Sequence, residues 1–321
     1  MPHDNDTYPG FGKEAPITSV QPGRGWGMSV ELTWGRFRRW VLRTFFPSYV
    51  KAQLARRQGT CSILKPDEVI DERDLKYFTT LTGYSFTGKN PFEWRRHLPF
   101  ASWGLAEVVV FTLGCMFAST IVGYLAWWGA PPWLVWLLSV IIALFWLEIL
   151  WFFRNPHRTI PNDPKAVLCP ADGQIVELAE VDAEGFPGGR AFRVGIFLNV
   201  FNVHINRAPL AARVTKLRFY PGKFLNAMKT ISARVNEQLW IDLEHIPTGM
   251  PIRVTQISGA LAHRIVCELK PGQELQAGDK FGMIKLGSRT ELYLPSDTKF
   301  TLKVKVGDKV QGGTTVLMLL S

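Results

Sequence analysis

Two long stretches free of Lys and Arg limit most strongly what this chain can fold into. Residues 108–128 read VVVFTLGCMFASTIVGYLAWW and carry no charge, and residues 133–153 read WLVWLLSVIIALFWLEILWFF, with Glu148 alone charged. As a helix rising about 1.5 Å per residue, each is long enough to cross a hydrocarbon core of about 30 Å. A Gly/Pro turn signal, GAPP, separates them, so a two-helix transmembrane hairpin is expected within residues 101–154. Glu148 lies near the second exit, where a carboxylate reaches the headgroups; a functional intramembrane acid is the other reading. Arg95 and Arg96 precede the first span, Arg154 and Arg158 follow the second, and the connecting loop holds no Lys or Arg. Both outer flanks are therefore expected on the cytoplasmic side.

The rest of the composition agrees with a membrane setting. The chain has 321 residues, a net charge of +10 and 12 Trp, many of them before residue 152. Basic charge beside interfacial Trp points to an anionic membrane surface rather than to nucleic acid. Residues 1–27 are rich in Gly, Pro and polar side chains and lack an apolar signal-peptide core, so a mobile tail is expected there. Residues 28–100 form a basic extension. In its first part Trp34, Phe37, Val41 and Phe45 recur at helical spacing among Arg36, Arg38, Arg39 and Arg43. This reads as an amphipathic helix lying in the membrane interface or packed on the protein's own domain. The four cysteines, Cys61, Cys115, Cys169 and Cys267, show no Cys-x-x-Cys or Cys/His spacing, so neither a zinc site nor a disulfide framework is expected.

After residue 160 short β-rich runs alternate with Gly and Pro. LKPGQELQAGDKFGMIKL and VKVGDKVQGGTTVLMLL share one order of lysine, glycines and apolar strand, the pattern of Gly-spaced hairpins in small barrels and sandwiches. The expected fold over residues 155–321 is a mainly β (α+β) domain, with one helix expected in GKFLNAMKTISARVNEQ.

Three segments of this region hold the chemically useful residues: FFRNPHRTIPNDPKAVLCPADGQIVEL, VGIFLNVFNVHINRAPL and GMIKLGSRTELYLP. Each has a plain structural explanation. Asp172-Gly173 suits a hairpin turn, His204 alternates with apolar neighbours as a strand histidine does, and Gly287-Ser288 suits a turn.

Together, in this order and after an apolar hairpin, the segments resemble the phosphatidylserine decarboxylase family over about residues 140–321, in the shorter branch that carries Gly-Ser-Arg. The resemblance implies a catalytic domain like a barrel-sandwich hybrid and self-cleavage between Gly287 and Ser288. Ser288 attacks the Gly287 carbonyl, and elimination then leaves a pyruvoyl group at residue 288. Its ketone forms an imine with the substrate amine and accepts the electrons released with carbon dioxide. The implied reaction converts phosphatidylserine to phosphatidylethanolamine at the inner membrane. The two fragments stay together as a heterodimer, and further self-association is left open. Asp172 matches the Asp of the family's Ala-Asp-Gly motif, and His204 matches its first His. Asn202 and Arg207 stand where the longer branch has an Asp and a second His. That second His belongs to the longer branch's self-cleavage triad. His204 therefore serves cleavage, protonation after decarboxylation, or both. Arg207 is no base at neutral pH but can hold a phosphate or carboxylate, with Asn202 beside it. His157 and His263 are weaker candidates, expected on a surface or near the membrane.

Two other readings compete. One is a membrane-tethered carrier of biotinyl or lipoyl type, for which Lys285 is the modifiable residue, although it lies outside a two-residue hairpin tip. The other is an inactive member of the decarboxylase family that serves as a scaffold.

Overall fold

Helices come first along the chain and strands after, following the change from long apolar runs to short alternating ones. The computed structural model describes residues 13–23, 26–61, 68–78, 82–94, 98–228, 231–260, 264–285 and 287–321. The N-terminal part holds α1 (Trp26–Phe45), α2 (Pro47–Arg56), β1 (Arg57–Gln58), α3 (Glu72–Phe78) and β2 (Ser85–Phe86). The two apolar helices follow, α4 (Leu105–Trp127) and α5 (Pro132–Phe152). Then come β3 (Ala166–Leu168), β4 (Gly173–Asp182), β5 (Arg190–Leu198), β6 (Ile205–Arg207) and β7 (Ala212–Tyr220). A single turn of helix, α6 (Ser232–Val235), precedes β8 (Gln238–His245), β9 (Pro251–Ile257), β10 (Arg264–Cys267), β11 (Glu274–Leu275) and β12 (Lys280–Lys285). The chain ends with β13 (Ser288–Pro295), β14 (Phe300–Leu302), β15 (Lys309–Val310) and β16 (Val316–Leu320).

The main sheet has eight strands in the order β11-β7-β8-β9-β13-β5-β4-β15, curled around the core. Smaller sheets, β10-β12-β6 and β14-β16-β3, complete the β region. Alternation along the central strands aims one face inward. Val194, Ile196 and Leu198 of β5, Ile252 and Val254 of β9, and Leu292 and Leu294 of β13 join one core. The fold is mixed α and β. The Gly-spaced repeat is visible in it, since Gly272 and Gly278 of the first copy and Gly307 and Gly313 of the second all have φ between +75° and +97°.

The helix expected in residues 222–238 is a correction: only Ser232–Val235 is helical among its described residues. The cause is a competing use of the backbone. Lys223 N–H donates to the Val235 carbonyl and Glu237 N–H to that of Lys223, so the two ends of the segment pair with each other.

Part of the stretch expected to be a mobile tail is tied down. Ala15 N–H donates to Phe219 O, and Cys267 N–H donates to Val20 O. In α1 the exposed aromatic ridge is Trp34, Phe37, Trp40 and Phe45, with Trp40 in place of the expected Val41. Arg38 and Arg39 leave the polar face altogether and pair with Asp71 and Asp74.

The apolar helices touch through the Phe111 and Phe145 rings, 5.8 Å apart, and through Trp146 Nε1 donating to Thr112 Oγ1 at 3.0 Å. Most of their other large side chains stay exposed, among them Phe117, Trp127, Trp128, Trp133 and Trp136. Their far ends are not free. Val108, Ile149, Phe152 and Phe153 form a cluster with Val203, Ile205 and Met283 of the β region.

Candidate active site at the start of β13

Gly287 lies between the end of β12 at Lys285 and the start of β13 at Ser288. Its φ is +61°, a conformation open to glycine and strained for side chains with a Cβ. A second glycine makes room for the carbonyl: a Cβ built on Gly259 would lie 2.1 Å from Gly287 O. Ser288 is fully buried, and its Oγ has no hydrogen-bond partner among the described residues. A buried hydroxyl left unpaired costs about 1–3 kcal/mol, an expense associated with strained or reactive positions.

β13 holds that hydroxyl in place from both sides. It pairs antiparallel with β5 from Ser288↔Leu198 to Pro295↔Ala191, and with β9 from Arg289↔Ile257 to Tyr293↔Arg253. The strand's other face carries a buried ionic ladder. Arg289 contacts Glu177 and donates from Nε to Glu291 at 2.7 Å, Arg193 joins Glu177, and Tyr293 OH donates to Glu291 at 2.5 Å.

His204 stands just before β6 and is fully buried. Its Nε2 accepts the Gly287 N–H at 3.2 Å, and its Nδ1 lies 3.0 Å from Asn202 O. One arrangement satisfies both contacts: Nδ1 carries the proton and donates to Asn202, leaving the Nε2 lone pair toward the Gly287 turn. Burial pushes the imidazole down to about 4, with the nearby Arg154 charge adding to that and the Asn202 carbonyl opposing it. The ring is thus neutral at pH 7. The Phe152 ring, at the end of α5, packs on it with centroids 4.5 Å apart.

Asp172 sits elsewhere. Its Oδ1 accepts the Gly312 N–H at 2.8 Å and its Oδ2 accepts from Arg158 at 2.6 Å. Among the described residues it makes no hydrogen bond to His204 or Ser288. Burial pushes its carboxyl up, against the pull of the Gly312 amide and of Arg158, Arg154 and Arg207. Arg207, on β6, donates to Gly278 O at 2.9 Å and belongs to this cluster. Asn202 accepts the Asn199 N–H through its side chain and the His204 proton through its carbonyl, so it orients the histidine by its backbone. His157 is exposed, and His263 lies outside the described residues.

Several site residues escaped the sequence reading. Arg158, by sequence a charge flanking the second apolar run, is the ion-pair partner of Asp172. Beneath Ser288, on the same face of β13, Thr290 accepts from Asn206, which in turn accepts from Gln256 at 2.8 Å. A polar side chain amid an apolar strand, as in VTQISG, was the available signal. Lys285 is 4% exposed and donates to Glu107 at 2.5 Å, so it cannot present its amine to a modifying enzyme as a carrier lysine must.

Comparison with known proteins finds similar chains. A family model described as phosphatidylserine decarboxylase matches residues 147–318. A phosphatidylserine decarboxylase proenzyme of Rhodopirellula baltica is 43% identical over 244 residues, which cover 75% of this chain and 97% of that protein. Proenzymes of the same name from Desulfotalea psychrophila and Chlorobaculum parvum are 45% and 46% identical, each over 56% of this chain and over 83% and 82% of their own lengths.

Proposed function

The chain belongs to the phosphatidylserine decarboxylase family, and from that premise we propose that it is a proenzyme. In this reading it cuts itself between Gly287 and Ser288 and then converts phosphatidylserine to phosphatidylethanolamine and carbon dioxide. The observation that carries the reading is the unpartnered, buried Ser288 hydroxyl next to a left-handed glycine whose amide is held by His204.

Ser288 Oγ bonds to the Gly287 carbonyl carbon as the Gly287–Ser288 C–N bond breaks, which turns the amide into an ester and leaves the Ser288 amine free. His204, neutral and in contact with the turn through Nε2, is the base of this reading; Nε2 accepts the Gly287 N–H in the uncut chain and must release it to take the Ser288 proton. Loss of the Ser288 α-proton then expels the Gly287 carboxylate from Cβ. Water replaces the nitrogen, which leaves as ammonia, and residue 288 ends as a pyruvoyl group. Pairing with β5 and β9 on both sides would keep that new N-terminus where Ser288 stood. The residues fit such a group: Ser288 is fully buried, its Oγ has no hydrogen-bond partner among the described residues, and that hydroxyl oxygen is the atom consumed.

Once made, the ketone supplies the electron sink that loss of a carboxylate beside an amine requires. The chain's own side chains bind and orient the substrate. Arg207 and Arg158 give positive potential for an anionic phosphate and carboxylate. Asp172 holds Arg158 in place. His204 is placed to return a proton to the product.

The membrane part of the reading rests on α4 and α5, both long and apolar enough to cross a bilayer. We assign them as a transmembrane hairpin, with α1 lying in the interface through its exposed aromatic ridge. Arg154 and Arg158 after α5 favour a cytoplasmic catalytic domain, and the reading takes the membrane to be an inner one. Basic residues of the N-terminal extension add about 1 kcal/mol each near an anionic leaflet. The packing of Phe152 on His204 supports a reaction at the foot of that hairpin, where a lipid headgroup would be met.

The test is decarboxylation itself. Purified full chain in mixed micelles is given phosphatidylserine, and phosphatidylethanolamine and released carbon dioxide are measured. The reading predicts both products in equal amounts, and none from protein pretreated with a hydrazide that traps ketones. Turnover unaffected by the hydrazide, or no turnover by fully cleaved protein, would contradict it.

A further inference from the structure

The strand that ends at the cleavage turn is anchored by a charge that belongs to the membrane helix. Glu107, in the first turn of α4, is buried and reaches across to β12. Its Oε1 accepts from Lys285 Nζ at 2.5 Å and also contacts Arg264. Lys285 is the last residue of β12, and Arg264 is its cross-strand partner in β10. So one carboxylate from an apolar helix ties the ends of two strands together two residues before Gly287.

The surrounding charges define what holds this contact. Arg264 also donates to Gln21 from Nε and Nη2, at 2.9 and 2.6 Å, and lies 3.7 Å from Glu31 of α1. Glu31 in turn accepts from Lys76 of α3 at 3.1 Å. Burial brings the Lys285 ammonium down to about 8, with Arg264 acting in the same sense and Glu107 and Glu31 against it. Without Glu107, two buried cations would face each other with Glu31 as the nearest remaining carboxylate.

The other side of the turn is fixed independently by the Arg289 ladder and by β5. A second contact binds the helices to the site: Trp151 Nε1 and Arg154 Nη2 donate to Phe201 O, just upstream of His204. The end of β12 and the segment before His204 therefore both touch the base of the apolar pair.

We propose that Glu107 is a positioning residue for self-cleavage: acting through Lys285, it sets the end of β12 and hence the Gly287 turn, so that maturation proceeds only with α4 docked on the catalytic sheet. This rests on the self-cleavage reading above. It gives the proenzyme a check, because a chain whose apolar helices have not seated keeps its serine unconverted.

The experiment follows the cleaved fraction with time in freshly made full-length protein, by denaturing mass analysis. Wild type, Glu107→Gln, Lys285→Met, Lys285→Arg and Ser288→Ala are compared. Glu107→Gln and Lys285→Met are expected to cleave about tenfold more slowly or worse, because small displacements of reacting groups cost that much. Lys285→Arg keeps the charge and is expected to cleave within about threefold of wild type at pH 7. The pH profile separates positioning from mere stability. Wild-type cleavage is expected to decline above about pH 8 as Lys285 loses its proton, and Lys285→Arg, which does not titrate there, to hold its rate. Thermal midpoints at each pH confirm that folded protein is compared. If Glu107→Gln or Lys285→Met misfolds, the two alkaline limbs still decide. Coincident limbs, or wild-type rates in Glu107→Gln and Lys285→Met, overturn the proposal while leaving self-cleavage intact. A wild type that never splits, like Ser288→Ala, removes the self-cleavage reading and this proposal with it.

Discussion

Burial keeps the His204 ring uncharged well below neutral pH. Its folded value lies near 4, below the ordinary histidine value of 6.5. Self-cleavage is therefore predicted to be nearly flat from about pH 5 to 7 and to fall through about pH 4, as the ring becomes charged. The same shift has a sign for stability. The unfolded chain binds the proton more tightly, so this contribution is full above the unfolded value and is lost as pH falls toward the folded one. In an uncleaved Ser288→Ala background, adding His204→Gln should reduce the loss of stability between pH 7 and pH 4.5, read by urea unfolding. An unchanged acid-side slope would remove the buried neutral ring from the account. At Gly259 the argument is steric. A methyl group there meets the Gly287 oxygen. Gly259→Ala is predicted to slow self-cleavage by about 100-fold, since it moves the carbonyl under attack, while time-resolved mass analysis shows the chain otherwise intact.

At the scale of elements, β13 would make the proposed cut tolerable. It is the central partner of β5 and β9, and its ionic ladder is buried. The fragments 1–287 and 288–321 are predicted to co-elute in native size-exclusion chromatography and to separate only in denaturant. Glu177→Ala leaves Arg289 and Arg193 short of a carboxylate. Breaking a buried pair costs about 3–5 kcal/mol, so the urea midpoint should drop and the small fragment should be released earlier. Elements with a strong period were legible from sequence: the two apolar runs became α4 and α5, and the Gly-spaced repeat became the β11–β12 and β15–β16 units. The segment 222–238 was not, because its helical pattern lost to backbone pairing between Lys223 and Val235. In the site, Gly287, Ser288 and His204 were found because their residue types and order carry the signal. Arg158, Gly259, Gln256 and Glu107 were missed because each acts through a contact distant in sequence. In α1, helical spacing showed an apolar stripe but not that Arg38 and Arg39 would turn inward to Asp71 and Asp74.

At the scale of the whole molecule, an exposed apolar surface as large as that of α4 and α5 needs cover, since soluble proteins rarely leave such patches open. The protein is predicted to remain with the membrane after alkaline carbonate extraction, and the small fragment to remain with it through β13. Its appearance in the supernatant would contradict both the anchor and the retained pairing. The arrangement joins in one place a buried hydroxyl at a glycine turn and a neutral histidine under the two apolar helices.

The central claim is that Ser288 is converted rather than merely buried, and intact mass under denaturing conditions tests it most directly. Wild type is predicted to give a chain ending at Gly287 and a fragment of residues 288–321 that begins with a pyruvoyl group and reacts with a hydrazide, while Ser288→Ala gives one full-length mass. A single uncleaved mass for wild type, or a small fragment that begins with an unmodified serine, would contradict the account.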